Sequence, residues 1–296
     1  MRRFNAVSIT DPVTWDGWSN NGVYQWLKNS LEKNNQIMNL IVDNTVISDF
    51  HDKKDCYAIL IESPDIIEWY HQNVFGITEK SFFEILSEKM IKGNHRFKKL
   101  YTFDKRYEGL PNTVIMGQTC FPTISNDKMD LYTKEKTNLL TFITTNKTMT
   151  ALHRFRVSLA NRLIENGIPV FGHGYKSINC KSEVLKNSMF CYAIENGIYR
   201  GYHTEKVMDC FVTGCVPIYI GDPDIGDHYD TRGMIIFKNS EELENKQIEI
   251  SSDLYNKMMP YIKRNFEIAT KEYTPSFEKF NDFHITAKNF FITPRL

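Results

Sequence analysis

Between Tyr192 and Asp224 the chain reads YAIENGIYRGYHTEKVMDCFVTGCVPIYIGDPD, its densest run of groups able to do chemistry. An apolar strand is expected to end at Glu195-Asn196, and a glycine-containing loop leads to Tyr202-His203-Thr204-Glu205-Lys206. Thr204 has the side chain of an N-cap, so a helix is expected to open there. The first turn of a helix offers unpaired N–H groups and a positive dipole end, which suit a phosphate, and Lys206 adds a full charge. Glu205 is then poised to accept the hydroxyls of a ribose. A plainer reading stands beside this one: Thr204 and Glu205 cap and charge-complement a helix with no ligand at all.

A second candidate is Arg156, in the segment Thr150-Ala-Leu-His-Arg-Phe-Arg156. It lies near the start of an expected helix, where a cation opposes the dipole and an anionic ligand would resolve the conflict. The alternative is a solvated surface arginine. Asp222-Pro223-Asp224 has the form of a D-x-D metal motif, but Gly221-Asp222-Pro223 also reads as a turn directly after a strand. No obligatory metal is expected. His173 and His203 are possible sugar contacts and equally ordinary structural histidines.

These groups need a scaffold. Apolar runs alternate with helix-period segments: strands at Met38–Val42, Tyr57–Ile61 and Leu100–Phe103, and helices around Val23–Leu31 and Phe82–Leu86. A polar stretch, Thr123 to Asn138, reads as a linker or domain edge. The rhythm then restarts. Strands are expected at Leu139–Thr144, Ile168–Phe171, Phe190–Ile194 and Val216–Ile220, and helices at Thr150–Asn166 and Thr204–Thr213. A long helix from about Ser252 to Tyr273 carries Pro260 as a kink or break. The pattern implies an α/β fold of two doubly wound sheets, with ligands beyond the carboxyl ends of the strands.

The ordered set of motifs, from about Leu139 to Phe237, resembles glycosyltransferase family 10, the α1,3/4-fucosyltransferases. That family has F-E-N at a strand end, Y-x-T-E-K at a helix start, and then G-x-V/I-P-I/V-Y/V-x-G. Here these read Ile194-Glu195-Asn196, Tyr202-His203-Thr204-Glu205-Lys206, and Gly214-Cys215-Val216-Pro217-Ile218-Tyr219-Ile220-Gly221, with Arg156 matching the upstream arginine helix. Ile194 replaces a phenylalanine, and Ser188-Met189-Phe190 stands where the family has Y-K-F. The chain looks like the short, unanchored bacterial and viral members.

The resemblance implies a GT-B fold, two facing Rossmann-like domains with a cleft between them. Residues 1–133 would bind the acceptor and 134–275 the nucleotide sugar, with 276–296 a tail packing back on the first domain. It implies inverting transfer of a sugar, first of all L-fucose from GDP-fucose, with a UDP-sugar as the other choice. The acceptor would be a glycan hydroxyl. Arg156 and Lys206 would meet the leaving diphosphate in place of a metal. Asn196 and Glu205 would fix the ribose and its surroundings, and Tyr202 and Thr204 would complete the pocket. The base is expected from the N-terminal domain, where Asp43, Glu62 and Asp104 follow strands. Glu62 is preferred: it follows the most apolar strand, is held by Ser63-Pro64, and has the location expected of the family's catalytic glutamate.

Composition sets limits on these readings. The 36 basic and 36 acidic side chains cancel, which argues against general electrostatic binding to nucleic acid or anionic membrane. One segment, Glu88 to Arg106, is nonetheless basic; it reads as a solvated face or as a contact for a phosphorylated glycan or DNA with a hydroxylated base. A silent nucleotide- or carbohydrate-binding module is the non-enzymatic alternative. No window approaches the roughly 20 apolar residues that span a bilayer. Polar residues and Pro12 interrupt what would be a signal core, and the six cysteines form no C-x-x-C pair. A cytoplasmic protein with reduced thiols is expected.

Overall fold

The structure is a computed structural model describing residues 7–8, 39–42, 56–60, 62–95, 97–115, 122–124, 135–246 and 248–272. The first sheet contains β1 (Val7–Ser8), β2 (Asn39–Val42), β3 (Cys56–Leu60), β4 (Phe97–Thr102) and β5 (Thr113–Ile115), side by side in that order. β1 pairs antiparallel and the others parallel. Two helices join β3 to β4: α1 (Pro64–Asn73) and α2 (Phe82–Ile91). Ser63 caps α1 with Pro64 at its first position, where the missing N–H costs nothing. Ser81 and Glu84 form a reciprocal capping box on α2. Ile67, Phe82, Leu86 and Met90 of these helices bury Ala58, Leu60 and Leu100 of the strands.

The second sheet is wholly parallel. Its strands are β6 (Asn138–Ile143), β7 (Val170–Phe171), β8 (Ser188–Ile194), β9 (Val216–Ile220) and β10 (Ile235–Ile236), in the order β10-β9-β8-β6-β7. Five helices accompany it: α3 (Ala151–Glu165), α4 (Lys181–Leu185), α5 (Glu205–Phe211), α6 (Ser240–Asn245) and α7 (Ser252–Glu272). Strand alternation serves two cores. Phe190, Ile194, Val216, Ile218 and Ile220 face Leu159 of α3 and Tyr255 and Ile262 of α7. Cys191, Ala193 and Tyr219 face Val207, Met208 and Phe211 of α5. A sheet covered on both faces is the doubly wound arrangement expected from the sequence.

One expectation changes, and other details are added. α7 runs through Pro260 without a break. The polar stretch after Thr123 is docked at both described ends: Thr123 donates to Asp209, Ile124 joins the second core, and buried Lys136 donates to three backbone carbonyls. α1 and β5 were not anticipated. The expected helix at Val23–Leu31, the acid Asp43 and the tail 276–296 lie outside the described residues.

Candidate active site

In the second sheet the chain leaves β6 toward β7 on one side and then resumes at β8 on the other. The carboxyl ends of β6 and β8 therefore flank the switch point where open α/β sheets hold ligands. A cavity of about 380 Å³ lies there, lined by Ile143 and Thr144 after β6 and Asn196 after β8, with Arg156, Glu205 and Lys206. Lys147, His153, Lys181 and Asp209 also line it. The loop after β7 closes one side through Gly172, whose φ is +115°; a Cβ there would sit 2.1 Å from the Thr144 carbonyl oxygen.

Arg156 is 4% exposed, not a solvated surface residue. Nη1 donates to the Ile194 carbonyl (2.9 Å) and Nη2 to Asn196 Oδ1 (3.0 Å), while Nε is buried with no partner. Among the described residues Arg156 forms no ion pair. Burial pushes its pKa down, against the pull of Glu195, Tyr202, Glu205 and Glu62. The position corrects the dipole argument: α3 begins at Ala151, so Arg156 is a full turn inside it. Burial without a carboxylate partner is what makes this cation unusual.

Lys206 is organised by Glu195, a fully buried acid. Glu195 accepts from the Thr204 N–H (2.8 Å), the Thr204 hydroxyl (2.7 Å) and Lys206 Nζ (3.2 Å). Burial opposes the Lys206 charge, but Glu195 and Glu205 more than offset it and its pKa rises. Arg156 pulls the other way, so each of these two cations lies in the field of the other. Glu205 is also opposed by burial, yet Lys206 and Lys181 hold its pKa at about 2. α5 has only seven residues, and Thr204 caps it through Lys206 N. Thr204 does cap the helix, and the positive charge at this end comes from the Lys206 side chain.

The two sheets meet at Glu62. Its Oε1 accepts from Ser63 N (2.8 Å), Tyr202 Oη (2.8 Å) and Asn196 Nδ2 (3.1 Å). Asn196 thus links Glu62 to Arg156 through one amide. Tyr202 and Thr204 are not in the wall of the 380 Å³ cavity. Tyr202 instead packs on Phe103, with ring centroids 5.1 Å apart. Glu62 also borders a second cavity of about 330 Å³, with Asp65, Glu68, Asp104, Arg106 and Tyr199.

Residues 133–251 match the model of glycosyltransferase family 10 (fucosyltransferase), C-terminal. The chain is a glycosyltransferase whose residues 133–251 resemble the C-terminal part of the fucosyltransferases. No curated protein matches it by sequence. Among solved structures it is similar to TarM, with TM-score 0.50 and 9% identity over 90% of this chain and 57% of that one. It is also similar to an α1,3-fucosyltransferase with GDP (TM-score 0.46, 13% identity, 92% and 85%). A third is WaaG, a glycosyltransferase involved in lipopolysaccharide biosynthesis (0.47, 12%, 88% and 81%). The fold is GT-B.

In this glycosyltransferase the other candidates fall into separate roles. Asp104 is held on both oxygens by Arg106 and caps a 3-10 turn through Arg106 N, so it is already engaged. The same contact neutralises one cation of the basic segment. His173 is exposed on the cavity rim beside Asn146. His203 is fully buried against Asp222, away from that cavity. Asp224, the second acid of D-x-D, pairs with Arg200.

Glu195, His153 and Lys181 were missed as site residues. Glu195 stands in the quoted motif, but only its contacts separate it from Asn196. His153 completes the reciprocal cap with Thr150 at the head of α3. Lys181 enters from the start of α4 and pairs with Asp209 (2.8 Å) and Glu205 (3.7 Å); no local sequence signal marks it. Among the described residues no helix is long and apolar enough to cross a membrane.

Proposed function

We propose that the enzyme transfers L-fucose from GDP-fucose to a hydroxyl of a neutral glycan, with inversion and without a metal at the diphosphate. The observation that carries the reading is Arg156: a buried guanidinium on the cavity, with no ion pair among the described residues and an unmet Nε. Such a group is stabilised by an anion. With Lys206 it supplies the positive charge that a leaving nucleoside diphosphate needs. Glu205, ionised throughout the neutral range, accepts the ribose hydroxyls, and Thr204 holds it and Lys206 in register. Residues 134–275 are the donor half in this reading and 1–133 the acceptor half.

Glu62 is the base. It takes the acceptor hydroxyl proton as the oxygen bonds to the anomeric carbon from the face opposite the diphosphate. The bond from that carbon to the phosphate oxygen breaks, and GDP departs with the electron pair. Asn196 and Tyr202 hold Glu62 in place. The cavity beside Glu62 carries Asp65, Glu68 and Asp104 against Arg106 alone, which favours an uncharged acceptor over a phosphorylated glycan or DNA. The four described free cysteines suit a reducing, cytoplasmic setting.

The test is Glu62→Gln assayed with GDP-fucose in EDTA. Loss of a general base lowers turnover by about 10²–10⁴-fold, with GDP binding unchanged. Full turnover in the variant, or no GDP release by the native enzyme, contradicts the assignment.

A further inference from the structure

One cluster of polar groups is left over by the transfer chemistry. His203 precedes α5, Asp222 follows β9, and His228 follows the 3-10 turn Ile225–Asp227. One donor atom from each of the three lies within 4.8 Å of the others. The side chains of His203 and Asp222 are wholly buried, and His228 is half-buried, leaving a route from solvent. Asp222 is fixed in place: its Oδ1 accepts from the N–H groups of Gly201 (2.9 Å) and Asp224 (2.8 Å). Its Oδ2 lies 3.1 Å from His203 Nδ1.

The second nitrogen of His203 is the independent sign. Nε2 is buried and makes no hydrogen bond. Buried polar atoms are nearly always partnered, and an orphan calls for a reason. A proton on Nδ1 shared with Asp222 leaves a bare lone pair on Nε2. The neighbouring ring is His228, with centroids 4.9 Å apart, and it does not fill that vacancy with a hydrogen bond. A carboxylate fixing one histidine nitrogen while the other is left for coordination is the usual way a metal-binding imidazole is oriented. Two imidazoles beside one carboxylate suit zinc or another divalent first-row ion, whereas magnesium and calcium take oxygen donors.

We propose that His203, Asp222 and His228 form a zinc-type site, held by the two imidazoles with the Asp222 carboxylate supplying negative charge beside them. The ion ties segment 222–228 to the turn that presents Thr204, Glu205 and Lys206. Its role is structural, and it takes no part in displacing the diphosphate.

The experiment uses the untagged full chain, stripped with EDTA and dialysed. Zinc chloride is titrated while melting temperature and bound zinc are followed, with magnesium chloride in parallel. The proposal expects an upward shift that saturates at one zinc per chain, and none with magnesium. His228→Gln, at a half-buried position, should fold and bind zinc at least tenfold more weakly. His95→Gln, on the first sheet's side of the chain, should keep the native response. Absence of a zinc shift in the native chain, or an undiminished one in His228→Gln, overturns the site. Transfer activity is not read, so the result stands apart from the donor and base assignments.

Discussion

Glu195 shows how one buried acid sets up a neighbouring cation. It has no solvent contact, yet three donors, two from Thr204 and one from Lys206, converge on it. Removing one partner of a buried ion pair leaves the other charge uncompensated, at a cost of about 3–5 kcal/mol. Glu195→Gln is therefore expected to lose several kcal/mol in chemical denaturation and to weaken GDP binding as Thr204 and Lys206 lose their anchor. An unchanged denaturation midpoint would refute that role. The motif around Glu195 was visible in the sequence, but its chemistry was not. Glu195, Asn196 and Glu205 are all plausible ribose contacts by type, and only burial separates the internal counter-ion from the residues that face the cavity.

At the scale of elements, the second sheet was largely legible. Val216–Ile220 is as expected, β8 extends two residues earlier, and α3 starts one residue after the expected Thr150, which caps it. Buried parallel strands are continuous apolar runs, and such runs stand out. The first sheet was less legible because β5 has only three residues and α1 carries a mixed face. The start signal of α1, Ser63-Pro64-Asp65, was present in the chain. Within α3, His153 makes stability depend on pH. Burial, then the nearby cations Arg156, Lys147 and Lys206, lower its pKa to about 3. An unfolded histidine titrates near 6.5. Below that pH the unfolded chain takes up a proton that the folded chain refuses, so stability falls progressively from about pH 6.5 toward 3. Urea midpoints measured between pH 7.5 and 4.5 should fall less in His153→Gln, which keeps an acceptor for the Thr150 N–H. Equal slopes in the two proteins would count against this origin.

Across the whole molecule, the two sheets are joined where the chemistry is proposed. Glu62 and Asp65 come from the first sheet's side; Asn196, Tyr199 and Tyr202 reach them from the second. Contacts of this kind, 134 and 140 residues apart in the chain, leave no local trace in a sequence. Gly197 permits the approach, since a Cβ there would meet Tyr199 Cε2 at 2.7 Å and Asp65 Oδ2 at 2.9 Å. Gly197→Ala is expected to spread this junction and displace Glu62 from Asn196. Transfer should fall about tenfold or more, equivalent to roughly 1.4 kcal/mol in the barrier, while GDP binding persists. Loss of both together would place the strain in the donor cavity instead.

The central claim is that Arg156 and Lys206 receive a diphosphate together, without a divalent ion. Its most direct measurement is the melting temperature of the EDTA-treated enzyme with and without GDP, for the native chain, Arg156→Lys and Lys206→Ala. GDP at about 100 times its dissociation constant adds about 2.7 kcal/mol to the folded state. A clear rise is expected for the native chain, with most of it lost in each variant. A native enzyme that responds to GDP only with added magnesium or manganese, or variants that respond in full, would contradict it.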